Sequence, residues 1–236
     1  MFVKSAAFYN AIYGFKDYEG ASARLHTLIQ ENKPGAGTLL DVGCGTGLHL
    51  KYLRKQYEVA GLDISPELLA VARESCPDIP FHEADMTDFE LNRTFDVVIC
   101  LFSAIAYVKT LANLERAMTQ MARHLQPGGL LIVEPWVSPE KYWRNHIVAN
   151  FVDQPDLKIS WMYNHDIEDS VSVFNINYLV GTPQGVEYFT ERHEMGLFTH
   201  EQYLAAFGQA GLHVEYDEKG LFGRGMYLGV KEEIIS

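Results

Sequence analysis

Along the first 135 residues, short apolar runs alternate with segments in which apolar residues return every three or four positions. The runs predict strands near 38–42, 58–62, 79–82, 95–101 and 129–134, and the periodic segments predict helices near 47–55, 66–75 and 111–125. Residues 5–13 and 20–31 read as two further helices ahead of the turn Pro34-Gly35-Ala36-Gly37. Strands that alternate with helices imply right-handed crossovers and a parallel sheet. After Pro135 the pattern changes. Residues 157–166, 170–181 and 185–197 are rich in β-branched and aromatic side chains and are parted by turn residues. They predict a three-stranded antiparallel insert over about 157–197. Thr199 and Gln202 then form a capping box for a helix over 200–210, which Gly211 ends. Strands near 212–217 and 225–231 would close the sheet as an antiparallel hairpin. With no linker or repeat in view, the expectation is one α/β domain spanning 1–236.

The candidate chemistry starts where the first strand becomes a helix, in Leu40-Asp41-Val42-Gly43-Cys44-Gly45-Thr46-Gly47. Glycines in such a turn reach backbone angles closed to other residues and let a ligand approach the main chain. A dinucleotide fingerprint, G-x-G-x-x-G/A, needs a third small residue where Leu48 stands, so that reading fails. Two more strands end in acids. Asp63 falls 22 residues after Asp41, at the distance where a ribose diol finds its acceptor, and Asp85-Met86 follows. The strand Phe95–Leu101 runs to the same end of the sheet.

Composition narrows the partners. The 236-residue chain has 31 acidic and 19 basic residues, a formal net charge of −12. Such a surface repels phosphate backbones, which argues against a nucleic-acid partner. No apolar run approaches the ~18 residues of a spanning helix, and residues 6–15 are too polar for a secretion signal. Cys44, Cys76 and Cys100 lack the paired spacing of a metal site and read as reduced thiols of a cytoplasmic protein. His49, His82, His193 and His200 read as surface or capping residues.

The D-x-G-x-G-x-G turn and the ordered acids resemble the class I S-adenosylmethionine (SAM) methyltransferases, whose Rossmann-like sheet ends in an antiparallel hairpin. That resemblance implies a donor site formed by Tyr13, Tyr18, Asp41, Gly43, Cys44, Gly45, Gly47, Asp63, Ile64, Asp85, Met86 and Leu101, with no metal. Base-methylating enzymes carry [DN]-P-P-[YF] after the fourth strand, where this chain has Leu101-Phe102-Ser103. More narrowly, the chain resembles the N,N-dimethyltransferases of TDP-linked amino sugars. The matching pieces are Lys16-Asp17-Tyr18, Phe102-Ser103 with Tyr107, Val133-Glu134-Pro135-Trp136 and Gly223-Arg224-Gly225, and they run nearly end to end. This resemblance implies an amine acceptor held by its nucleotide tail. Tyr13 and Tyr107 would orient the amine, Glu134 would attract its ammonium form, and Tyr9, Phe102, Ser103, Trp136 and Arg224 would line the acceptor site, Arg224 on a phosphate. Lys141, Trp143 and Arg144 are weaker candidates for the same tail. Another small metabolite as acceptor, or SAM binding without catalysis, are the alternatives. The insert could pair two subunits or wall the acceptor site.

Overall fold

The computed structural model describes residues 2–233. Its centre is a seven-stranded sheet. Strands β1 (Thr38–Val42), β2 (Glu58–Asp63), β3 (Phe81–Glu83), β4 (Phe95–Cys100) and β5 (Leu125–Val133) are parallel. All but the edge strand β3 are buried on both faces, because neighbouring residues divide between two cores. Leu40, Val98 and Leu131 pack under α5 (Leu111–Arg123) and α6 (His200–Gln209). Leu39, Val97 and Leu130 pack under α2 (Tyr18–Asn32) and α3 (Leu48–Leu53). A strand with apolar side chains on both sides has no solvent face to expose, which is why these segments read as continuous runs. The hairpin of β11 (Leu212–Asp217) and β12 (Met226–Lys231) closes the sheet antiparallel against β5. The order is β11-β12-β5-β4-β1-β2-β3. The order reverses between β1 and β4, so the crevice for a ligand opens beyond their carboxyl ends.

The antiparallel insert is larger than its sequence suggests. It has five strands: β6 (Ile147–Gln154), β7 (Leu157–Asn164), β8 (Asp166–Glu168), β9 (Val171–Thr182) and β10 (Gly185–Gly196). The path is β10-β9-β7-β6, with β8 alongside β9, so the sheet begins ten residues before the expected 157. Strand β6 escapes notice because it is an edge strand. Its inner positions Val148, Asn150 and Val152 are only half-buried, and the contrast between its faces is weak. The expected helix over 5–13 is also interrupted, as a 3₁₀ turn at Ser5–Phe8 followed by α1 (Tyr9–Ile12). A tertiary contact explains this. The Glu191 carboxylate of β10 accepts the backbone N–H groups of Val3, Lys4 and Ser5, and it also takes the Ser5 hydroxyl. Residues 2–12 are thereby tied to the insert. Local signals hold elsewhere. Ser65 caps α4 (Pro66–Ser75), whose first residue is proline, and the Thr199–Gln202 capping box opens α6.

Candidate active site

A cavity of about 880 Å³ lies between the carboxyl ends of β1 and β4 and the inner face of the insert. That volume lies in the upper part of the range for small-molecule sites. The donor end is built from the glycine turn. Gly43 and Gly45 have φ of +77° and +55°, and a Cβ on Gly45 would meet nothing within 4 Å. The Gly45 N–H donates to Asp63 Oδ2 at 2.8 Å, and the Ser65 N–H donates to Oδ1 at 2.9 Å. Asp63 therefore joins the ends of β1 and β2 while lining the cavity. Asp85 keeps its side chain oriented by accepting the Thr87 N–H and hydroxyl, both at 2.8 Å. Tyr9, Tyr13, Tyr18, Asp41, Gly43, Cys44, Ile64, Met86 and Leu101 line the same space. Gly47 does not. It starts α3 in a left-handed conformation and serves the turn alone.

The electrostatics at this end call for a cation. Asp41 is buried, and burial together with the neighbouring Asp63 pushes its carboxyl up to about 8. Tyr18 Oη, His49 Nε2 and Trp161 Nε1 are buried on lining residues without a protein partner. A ligand that brings positive charge and several polar groups would satisfy both conditions. The sulfonium and ammonium of SAM, with its ribose and adenine, fit that description.

At the other end the chain makes a strained corner. Phe102 and Ser103 follow β4 with φ of +53° and +62°, a conformation costly for residues with a Cβ. The corner is held from behind. The Phe102 N–H donates to Glu134 Oε2 at 2.7 Å, and the Ser103 hydroxyl donates to the Pro135 carbonyl at 2.8 Å. Arg224 reaches across from the β11–β12 loop and donates to Ser103 Oγ at 2.9 Å, its guanidinium 5.0 Å from the centre of the Trp136 ring. Tyr13, Phe102, Tyr107, Trp136 and Arg224 line the cavity, whereas Ser103, Glu134, Lys141, Trp143 and Arg144 do not. Glu134 is fully buried, and burial pushes its carboxyl up although Arg224 and Lys16 counter the effect. Its Oε2 supports the corner by accepting the Phe102 N–H, and its Oε1 is buried without a protein partner.

Two histidines depart from expectation. His49 and His193 are buried and line the cavity; they are not surface residues. His193 Nδ1 is hydrogen-bonded to the Tyr107 hydroxyl at 2.8 Å, and burial lowers its pKa to about 4. The ring stacks on Phe174 and stays neutral. It fixes where the Tyr107 hydroxyl points. The only sequence signal for it is its inward parity on β10, shared with Glu191 and Phe189, both also buried.

These features, a sheet with the β1–β4 switch and a glycine turn joined to a strand-end aspartate, define the donor half of a nucleotide-type methyltransferase fold. Comparison with known proteins agrees. Residues 39–129 match the family described as "Methyltransferase domain". The chain is 38% identical to the dTDP-3-amino-3,4,6-trideoxy-alpha-D-glucopyranose N,N-dimethyltransferase of Streptomyces venezuelae, over 91% of this chain and 92% of that one. It is 35% identical to the dTDP-4-amino-2,3,4,6-tetradeoxy-D-glucose N,N-dimethyltransferase of Saccharopolyspora spinosa, over 96% and 92%. Among solved structures, Streptomyces venezuelae DesVI superposes with a TM-score of 0.93 at 36% identity, covering 98% of this chain and 100% of that one. A SAM-bound amino pentose methyltransferase from Micromonospora echinaspora gives 0.86 at 34%, with 98% of each chain covered. The chain belongs to the family of SAM-dependent sugar N,N-dimethyltransferases.

Proposed function

We propose that this protein transfers methyl groups from SAM to the amino group of a TDP-linked amino sugar, twice in succession. SAM supplies an activated methyl on a positively charged sulfur. The chain's own residues act by placement. Holding an amine in line with the methyl can supply roughly 7–11 kcal/mol of the barrier. Tyr13 and Tyr107 both line the cavity, and burial raises the pKa of both, so their hydroxyls act as neutral donors or acceptors. His193 holds Tyr107 in that role. Glu134 contributes by keeping the Phe102–Ser103 corner closed and by its charge behind Arg224. The proposed transfer calls on no metal ion. With Cys44, Cys76 and Cys100 all unpaired, the cytoplasm is the compartment this reading implies.

The observation that carries the acceptor assignment is Arg224. A hairpin arginine that leans on Trp136 and lines the cavity is suited to a phosphate fork. Arg224→Ala is expected to raise the acceptor KM by about 10- to 100-fold while leaving S-adenosylhomocysteine affinity within about twofold. An unchanged KM for a TDP-amino sugar would move the reading to an acceptor without a nucleotide.

The insert supports a second reading, pairing of two subunits. Its outer face carries Ile147, Phe151, Met162, Leu179, Val186 and Tyr188, all exposed, on four adjoining strands. Exposed apolar patches of this kind mark interaction sites. Phe151→Asp is expected to shift the protein from dimer to monomer in sedimentation at micromolar concentration. A wild-type monomer under those conditions would dismiss the pairing. Among the described residues, no helix is long and apolar enough to cross a membrane.

A further inference from the structure

Among the described residues, four lysine and arginine side chains line the cavity: Lys16, Lys109, Arg192 and Arg224. Two of them are neutralised within the protein. Lys109 Nζ lies 3.1 Å from Glu194, and Arg192 pairs with Glu194 at 2.8 Å and with Glu168 at 3.0 Å. Lys16 and Arg224 have no carboxylate within salt-bridge distance among the described residues, although the chain has far more acids than bases. They come from opposite ends of the chain and meet over one ring. Lys16 Nζ stands 3.1 Å from the centroid of Phe102 and 4.3 Å from that of Phe222, and the Arg224 guanidinium stands 5.8 Å from Phe102. The aromatic faces relieve part of the repulsion between them. Glu134, whose charge both side chains feel, gives one carboxylate oxygen to the Phe102 N–H and stands beyond salt-bridge distance of either cation.

We propose that Lys16 is the second arm of an anion clamp with Arg224, closing on a phosphate or carboxylate group of a ligand in the cavity. The inference deepens the proposed function and rests on it for one of two sources of the anion, the diphosphate of a nucleotide-sugar. The other source is the carboxylate at the methionine end of SAM. His49, on the helix that follows the glycine turn, is close enough to feel the charge of Lys16, so that end of the donor is within range as well.

The surroundings also make Lys16 sensitive to its ligand. Burial and Arg224 lower it to about 7, while Glu134 opposes the shift; His49, Tyr18 and the adjacent Asp17, whose carboxylate accepts the Gly20 N–H, are further titratable groups around it. A bound anion favours the ammonium, so binding draws a proton onto Lys16, and affinity falls as pH rises above about 7. At pH 8 the uptake approaches about one proton per site.

The test is calorimetric titration of the whole protein at pH 8 in two buffers of different ionisation enthalpy. Thymidine diphosphate and S-adenosylhomocysteine are titrated separately into wild type, Lys16→Met and Lys16→Arg. Arginine keeps its charge at this pH, so the difference in proton count between wild type and Lys16→Arg belongs to Lys16, and any proton that Asp41 releases cancels. The expected result is a loss of about 10- to 100-fold in thymidine diphosphate affinity in Lys16→Met. Lys16→Arg is expected to bind near wild-type strength without the uptake. The same pattern with S-adenosylhomocysteine instead assigns the clamp to the donor carboxylate. If thymidine diphosphate then fails to bind wild type, the nucleotide-sugar reading falls and the clamp stands. Lys16→Met with unchanged affinity for both ligands, or equal proton counts in wild type and Lys16→Arg, overturns the proposal.

Discussion

Asp63→Ala is expected to lower S-adenosylhomocysteine affinity by roughly 100-fold or more, measured by calorimetry. Two charge-assisted hydrogen bonds to a ribose diol are together worth about 3–6 kcal/mol, and about 1.4 kcal/mol is tenfold in affinity. The carboxylate does more than face the cavity. It accepts the Gly45 N–H at 2.8 Å and the Ser65 N–H at 2.9 Å, so it also sets the height of the glycine turn above the end of β2. Asp63→Asn tests this second task. Its side-chain NH₂ must meet one of those two backbone N–H groups, so one oxygen cannot serve both. The Asn variant is therefore expected to bind about as poorly as the Ala variant. Affinity within threefold of wild type in either variant would remove Asp63 from the donor site.

Gly43→Ala and Gly45→Ala are expected to fail in opposite ways. Gly43 has a φ of +77°, and a Cβ there would lie 2.6 Å from Cβ of Ala104 and 3.6 Å from Cε of Met86. A left-handed residue costs about 1–2 kcal/mol and overpacking about 1–3. Together they predict a drop in Tm of roughly 5–20 °C for a chain of this size. At Gly45, with a φ of +55°, the added Cβ enters open cavity. Only the backbone cost applies, about 1–2 kcal/mol, so Tm is expected to fall by just a few degrees. Donor affinity, in contrast, is expected to fall about tenfold or more, because the methyl stands where a ligand must approach the main chain. A Gly45→Ala protein that binds S-adenosylhomocysteine normally would show that the donor does not lie over this turn.

Much of the frame was legible because its causes are local. Leu39 and Leu40 are both apolar because β1 is covered on both sides, and the same holds for Val97 and Val98 of β4. Ser65-Pro66 and the Thr199–Gln202 capping box start helices through contacts spanning three residues. The turn at residues 43–47 announced itself through spacing alone, and Asp63 and Asp85 fall at strand ends that the hydrophobic pattern already marked. The acceptor end was less legible. Family likeness points to Tyr13, Phe102, Tyr107, Trp136 and Arg224, and the fold gathers all five around one cavity. The same likeness points to Glu134, which lies one layer behind. Its neighbours in sequence carry no sign that the Phe102 N–H would need it.

What the chain's sequence determines by itself is whatever a few neighbouring residues decide: which segments form strands or helices, where caps and turns fall, and that a glycine turn waits beside acids. These follow from backbone sterics and from the periods of two and 3.6 residues at which side chains repeat. Only the tertiary structure decides the rest. It sets Glu134 behind a strained corner, where one carboxylate oxygen accepts the Phe102 N–H, and it pairs His193 with Tyr107 across two separate elements. It adds β6 as an edge strand, breaks the first helix through Glu191, and brings Lys16 to Arg224 over one phenyl ring. Each of these depends on side chains distant along the chain that burial forces to share hydrogen bonds and charge. No local pattern encodes such a pairing, because it exists only once water has been excluded from between them.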